Sequence, residues 1–217
     1  MSSKNQFLLA FILIALGVLF RTVFHLGDNI EFVTTSALLS GSFLSFYWAL
    51  MVPLLIMAVS DLIIGNTLIF LFTWSAYLFI GVIGFIFLRS RKSRIKHIAK
   101  ATFSGVVSSL IFYLWTNFGV WFLDSFGMYP DNLSGLFQSY IFGLPFLKMN
   151  LLGNLFFVPL SFSLFDLLLS FKFNIPTVDQ FATQNDLTEG YTDTLVTNSS
   201  KRSINRKSFN LNCPHKL

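Results

Sequence analysis

Polar side chains that could bind a small molecule interrupt the apolar segments of this chain. The candidate set holds one guanidinium, one carboxylate, three amides and two aromatic residues with polar tips: Arg21, Asp61, Asn117, Trp121, Tyr129, Asn150 and Asn154. A guanidinium can pair with an anion, amides donate and accept hydrogen bonds, and aromatic rings stack. These residue types predict the binding of a small polar or anionic solute.

Enzyme chemistry finds no support among the motifs. The sequence has no Walker A loop, no His-Glu-x-x-His and no Gly-x-Ser-x-Gly. Its one cysteine, Cys213, cannot form an intrachain disulfide or a cysteine cluster. The histidines are widely spaced, at His25, His97 and His215. We therefore expect no enzymatic activity, no metal and no cofactor.

The composition predicts a chain that lies in a lipid bilayer. Hydrophobic residues make up 54% and charged residues only 12% of the 217 residues, and the mean hydropathy is +0.67. A soluble domain of this length would have too little polar surface. The net charge of +5 comes from residues beside apolar segments and in the C-terminal tail, so it indicates membrane topology and no nucleic-acid partner.

Six apolar segments approach the length of about 20 residues that crosses a bilayer. They predict an all-α bundle of about six transmembrane helices, at residues 6–24, 32–46, 47–64, 68–88, 99–123 and 142–171. The second is short and no charge separates it from the third. The segment 32–64 could therefore form two full spans, one long bent hairpin, or a half-span followed by a full span. The sixth is over-long, and we expect it to begin at the interface and enter the membrane near Met149 or Leu151.

The basic residues set the expected orientation. Six of the fifteen Lys and Arg residues lie between Arg89 and Lys100, and cytoplasmic loops collect such residues. With six crossings, both termini are then cytoplasmic. We expect a transmembrane domain at residues 1–171 and a disordered, polar and basic cytoplasmic tail at 172–217.

This orientation puts six of the seven candidate residues, together with Lys148, in the outer half of the membrane. The seventh, Tyr129, lies in the loop at 124–147. A charge at mid-bilayer costs about 2.5 to 3.5 kcal/mol on insertion scales, so such residues face a cavity or a partner. Arg21 and Asp61 could be a structural ion pair, could reach the interface, or could belong to a ligand site. The apolar, aromatic loop at 124–147 could cover the cluster as an amphipathic helix or could lie at the interface with no such role. The tryptophans are expected to anchor the interface, and Asp166 to face the basic loop.

Two predicted spans carry a small residue at every fourth position. The stripes are Ala37, Gly41 and Ser45, and Ala101, Gly105 and Ser109. Small residues let membrane helices approach closely. The stripes could serve packing within the bundle, or they could dock a partner membrane protein.

Several short motifs resemble an uncharacterised bacterial integral-membrane family over roughly residues 21–171. They are Ser60-Asp61-Leu62 with Gly65, the run Thr116 to Trp121 (TNFGVW), Tyr129-Pro130, Gly135-Leu136, Leu144-Pro145-Phe146, Asn150 and Gly153-Asn154. The chain departs from the family pattern at Asn154, where an acidic residue is usual. The resemblance implies a multi-pass protein of the bacterial inner membrane and assigns no activity.

The size and layout are similar to those of the S components of energy-coupling-factor transporters. This similarity implies a subunit that captures a small solute or micronutrient from outside and docks on an ATPase module. Arg21 would supply charge, Asp61 would hold Arg21 or the ligand, the three asparagines would supply hydrogen bonds, and Trp121 and Tyr129 would stack or close over the solute. The alternative from another class is a non-transporting membrane scaffold or assembly protein.

Overall fold

Six α-helices form the described part of the chain. The structure is a computed structural model that describes residues 3–24, 30, 32–65, 67–90, 93–123 and 127–173. Those residues contain no β-strand, so the predicted all-helical fold is confirmed for them. The helices are α1 Ser3–Thr22, α2 Val33–Phe43, α3 Phe46–Ile64, α4 Phe70–Phe87, α5 Arg94–Leu123 and α6 Leu133–Phe173.

The chain divides into two compact units, Met1–Leu167 and Leu168–Leu217. The helical bundle belongs to the first unit. Of the second unit, the structure describes only the last residues of α6. The predicted tail at 172–217 therefore lies almost wholly outside the described residues.

Five of the six helices are long and apolar enough to cross a membrane: α1, α3, α4, α5 and α6. The exception is α2, which has 11 residues and a length of about 17 Å at 1.5 Å per residue. The hydrocarbon core is about 30 Å thick. The alternative of two full spans in 32–64 is thus wrong, because its first part forms only this short helix.

Helix α2 is buried along its whole length. It contains five hydroxyl residues, Thr34, Thr35, Ser36, Ser40 and Ser42, all with a relative exposure of 3% or less. Such polarity is tolerated because neighbouring helices rather than lipid surround it. Extended backbone at Leu44 and Ser45 separates α2 from α3. The segment 32–64 is therefore a short helix followed by a full-length one, which is one of the alternatives left open by the sequence.

Glycines let α2 lie directly on the backbone of α4. A Cβ atom added at Gly41 would lie 2.5 Å from the Phe85 nitrogen and 2.6 Å from the Gly81 oxygen. A Cβ atom added at Gly84 would lie 2.9 Å from the Leu38 oxygen. Both helices thus depend on missing side chains at their crossing, as in small-residue packing between membrane helices.

The second small-residue stripe also packs inside the bundle. Ala101 and Ser109 on α5 are at most 1% exposed, and Gly105 between them is buried. An added Cβ at Gly105 would lie 3.1 Å from Val158 Cγ2 on α6. Most of each stripe is therefore occupied by contacts within this chain.

Contacts between helix ends show how the helices alternate in direction. Phe7 at the start of α1 contacts Trp48 at the start of α3. Phe46, also at the start of α3, contacts Phe85 at the end of α4. Lys100 near the start of α5 donates to the Phe87 oxygen at the end of α4. Arg94 at the start of α5 donates to the Ser163 oxygen in the later part of α6. We call this the basic end of the bundle, because it carries Arg89, Arg94, Lys96 and Lys100.

Candidate functional site

A cavity of about 350 Å³ lies between α4, α5, α6 and the segment before α6. It is at the end of the bundle opposite the basic end, where α4 begins and α5 ends. Its described lining contains hydroxyl, phenol and amide groups among aromatic and apolar side chains, and no ionisable acid or base other than tyrosine. The polar lining residues are Thr73, Ser109, Tyr113, Thr116, Asn117, Tyr129 and Asn150; the others are Phe112, Val120, Met128, Phe142, Gly143, Phe146 and Leu147.

One face of α5 supplies most of this wall. The lining residues of α5 recur at intervals of three or four, from Ser109 through Thr116 to Val120. Positions spaced in this way lie on one side of a helix. The TNFGVW run contributes Thr116, Asn117 and Val120 to the cavity, and directs Phe118 elsewhere. Helical periodicity within that run was the signal in the sequence that could have identified Thr116 as a lining residue.

Asn117 of α5 contacts α6 at the cavity wall. Its Nδ2 donates to the Tyr113 carbonyl oxygen at 2.8 Å. The Ser139 hydroxyl of α6 donates to the Asn117 backbone oxygen at 3.2 Å. A Cβ atom at Gly143 would overlap the Asn117 side-chain oxygen. Glycine at position 143 thus makes room for the Asn117 amide at the cavity wall.

Asn150 and Asn154 connect α6 to the cavity floor. The Asn154 Nδ2 donates to Ser109 Oγ at 2.8 Å and to Asn150 Oδ1 at 3.0 Å. Asn150 is 6% exposed and Asn154 is 2% exposed. Asn150 and Ser109 line the cavity. Asn154 lies behind the wall and positions both of them through these hydrogen bonds.

The two aromatic candidates have different positions. Tyr129 lines the cavity, and its ring centroid lies 6.4 Å from that of Phe142. Trp121 is outside the described lining, and its Nε1 donates to the Pro130 oxygen at 3.2 Å. Trp121 therefore fastens the segment that carries Tyr129 to the end of α5.

Arg21 and Asp61 form an ion pair between α1 and α3, as the sequence suggested. Arg21 also donates to Ser60 Oγ at 2.6 Å, and Trp74 Nε1 of α4 donates to Asp61 Oδ2 at 2.7 Å. Neither charged residue is in the described lining of the cavity. Of the seven candidates, the structure places three in the lining, two beside it, and this pair at a separate site. Trp74, expected only as an interface anchor, is a partner of the pair.

A second polar cluster at the basic end contains Asp166, which was expected to face the basic loop, and His97, whose part in it was not predicted. His97, expected in a loop, lies in α5 and is 2% exposed. Its Nε2 is 3.0 Å from the Leu88 oxygen and 3.1 Å from Ser42 Oγ, and its Nδ1 is 3.3 Å from Asp166 Oδ2. This cluster joins α2, α5, α6 and the end of α4. Among the described residues, no group of three His, Cys, Asp or Glu side chains could hold a metal ion.

A comparison with known proteins places the chain without assigning an activity. A protein-family model described as a family of unknown function (DUF6580) matches residues 1–178. No curated protein and no solved structure matches the chain.

Proposed function

We propose from the cavity that this chain, which belongs to DUF6580, a family of unknown function, is a multi-pass membrane protein that binds a small solute. The bundle would lie in the bacterial inner membrane with both termini in the cytoplasm. The cavity would then take its solute from the outer side. In its finer form, the protein is the solute-binding subunit of an uptake system and works with an ATPase module.

The cavity is the observation that carries this proposal. Its volume of about 350 Å³ lies within the range of about 300 to 1,000 Å³ that is typical of small-molecule sites. Polar groups from α4, α5 and α6 converge on it among aromatic rings, which is the usual composition of such sites. Asn154 lies behind the wall and fixes Ser109 and Asn150 through hydrogen bonds. A site with positioned polar groups suits a solute that has a defined pattern of hydrogen bonds.

The distribution of charge supports an outward-facing cavity. Arg89, Arg94, Lys96 and Lys100 mark the basic end, and positive residues favour the cytoplasmic side. The cavity is at the other end of the same helices. Large apolar side chains are exposed on the outside of the bundle, with Phe11 62% and Ile86 65% exposed. Such a surface suits contact with lipid rather than water.

The scaffold alternative is weakened by the packing of the small-residue stripes. A docking surface for a partner must be accessible, whereas Ala37, Ala101 and Ser109 are at most 1% exposed. Gly41 and Gly105 are buried between helices of the same chain. No specific feature of the described surface favours the scaffold over solute binding.

Native mass spectrometry of the gently solubilised protein tests the proposal. We expect wild-type protein from its own host to carry a small-molecule adduct. Asn117→Leu keeps the approximate side-chain volume and removes the amide from the cavity wall, so the adduct should be lost. Asn5→Leu makes the same change on α1, away from the cavity, and should retain it.

Two results would contradict the proposal. One is equal adduct occupancy in Asn117→Leu and Asn5→Leu, which would show that the solute is bound elsewhere. The other is wild-type protein that is bare both in detergent and in lipid nanodiscs. Co-purification of an ATPase module with wild-type protein would support the uptake role in particular.

A further inference from the structure

Three aliphatic hydroxyl groups in the cavity wall donate their protons to backbone carbonyls. Thr73 Oγ1 donates to the Phe70 oxygen at 3.2 Å, Ser109 Oγ to the Gly105 oxygen at 3.1 Å, and Thr116 Oγ1 to the Phe112 oxygen at 2.7 Å. Each acceptor is a carbonyl of the same helix. A hydroxyl has one proton and two lone pairs. Where these oxygens face the cavity, they therefore offer lone pairs to a ligand.

Tyr113 and Asn117 add to this excess of acceptors. The Tyr113 hydroxyl donates to the Tyr140 oxygen at 2.6 Å. Asn117 donates through Nδ2 to Tyr113, while its Oδ1 accepts no hydrogen bond from the described part of the chain. Some donor capacity remains, because Tyr129 has a hydroxyl proton and the asparagine amides have more than one N–H. The wall as a whole nevertheless offers more acceptors than donors.

No positive side chain in the described lining offsets these acceptors. Arg21, the cation among the seven candidates from the sequence, is engaged by Asp61 and Ser60 outside the lining. An anionic ligand would leave water for a wall that offers more oxygen lone pairs than donors and no cation to compensate the buried charge. The cavity therefore disfavours carboxylates and phosphates.

Aromatic rings form the apolar part of the wall. Phe112, Phe142 and Phe146 line the cavity together with Tyr113 and Tyr129. The faces of such rings carry partial negative charge, so they attract cations and stack on flat rings. Acceptor oxygens and ring faces thus favour the same kind of ligand.

We infer, on the basis of the proposed function, that the ligand is a flat ring compound with N–H or O–H donors that is neutral or singly positive, and is not an anion. Its donors bind the oxygens of Thr73, Ser109, Thr116 and Asn117. Its ring packs against the phenylalanines. This ligand class differs from the anionic solute that Arg21 suggested in the sequence.

Three probes of one shape and different charge test this ligand class: naphthalene-2-carboxamidine, naphthalene-2-carboxamide and naphthalene-2-carboxylate. At neutral pH they are a cation, a neutral donor and an anion. Dissociation constants are measured by titration of wild-type protein in nanodiscs of zwitterionic lipid. We expect the amidine and the amide to bind at least tenfold more tightly than the carboxylate.

A matched pair of variants tests where the probes bind. Thr116→Val removes an oxygen of the cavity wall and should weaken the amidine and the amide by roughly three- to tenfold, as expected for one hydrogen bond. Thr102→Val removes the same kind of hydroxyl from the same helix, since Thr102 Oγ1 donates to the Ile98 oxygen at 2.9 Å but is outside the lining. It should leave all three affinities unchanged.

The outcomes separate the ligand class from the proposed function. A carboxylate that binds as tightly as the other two, and is weakened by Thr116→Val, would overturn the ligand class but leave the cavity as a binding site. Extraction and identification of the native adduct gives a second readout. A carboxylate or phosphate compound would also overturn the ligand class and leave the cavity as a binding site. Binding weaker than about 1 mM for all three probes would also overturn the ligand class. A phospholipid as the native adduct would overturn both proposals.

Discussion

Arg21 and Asp61 neutralise each other where either charge alone would be costly. Their side chains are 15% and 7% exposed, and both lie in apolar helices. Ser60 and Trp74 satisfy further hydrogen-bonding groups of the pair. The pair thus joins α1, α3 and α4, and its position outside the cavity lining favours a structural role over ligand contact.

Removal of one partner should therefore be worse than removal of both. We expect Arg21→Met to lower the free energy of unfolding by about 3 to 5 kcal/mol, because Asp61 is left buried and uncompensated. The double variant Arg21→Met with Asp61→Leu should recover most of that loss. Thermal unfolding in one detergent measures the effect, with Arg89→Met at the protein surface as the control. A double variant less stable than Arg21→Met would contradict this account.

His97 should matter for stability in a similar way. His97→Leu removes the ring nitrogens that contact Leu88, Ser42 and Asp166. Each buried polar group left without a partner costs about 1 to 3 kcal/mol, so we expect a marked drop in the unfolding temperature. Lys96→Leu, at the exposed neighbouring position, should have little effect. Equal unfolding temperatures for the two variants would show that the cluster contributes little.

At the scale of helices, the approach of α2 to α4 should tolerate an added side chain poorly. Gly41→Ala would push a methyl group against backbone atoms at 2.5 Å and 2.6 Å, which cannot move without displacing a helix. Gly105→Ala would meet a valine methyl group at 3.1 Å, which can shift. We expect Gly41→Ala to cost several-fold more stability than Gly105→Ala, as measured by thermal unfolding.

The sequence located five of the six helices, and most of their ends lie within a few residues of the predicted positions. It overestimated α2 because hydropathy measures apolar length and does not distinguish burial in protein from burial in lipid. The five hydroxyl residues of α2 were a sign of its buried position. The sequence also missed that α6 begins as early as Leu133. The segment 124–147 was expected to be either an amphipathic helix over the cluster or a segment at the interface, and not the first part of α6.

The candidate site was only partly predictable, for a geometric reason. Segment order and charge predict the approximate depth of a residue, and three residues grouped in this way, Asn117, Tyr129 and Asn150, line one cavity. They do not give its direction around the bundle. For this reason Arg21 and Asp61 were expected with the amides, although they lie between other helices. The role of Thr116 required the periodicity of α5.

For the whole molecule, the alternating helices place the basic end and the cavity at opposite ends. If the basic end is cytoplasmic, as its charges favour, Ser93 and Asp131 lie on opposite sides of the membrane. With Cys213 replaced by Ser, we expect Asp131→Cys to react with a membrane-impermeant maleimide in intact cells. Ser93→Cys should react only after permeabilisation. The reverse pattern would turn the cavity to the cytoplasm and contradict uptake from outside.

The burial of α2 has a consequence for how the protein is made. An 11-residue helix with five hydroxyl residues is too short and too polar to be retained by lipid as an independent span. If the bundle is inserted into a membrane, as we propose, the polypeptide has to keep α2 associated with the synthesis machinery or with α1 until α3 and α4 have emerged. Assembly would then not proceed by simple insertion of finished helices one after another. Substitutions such as Gly41→Ala would then lower the yield of inserted protein, whether or not they change solute binding.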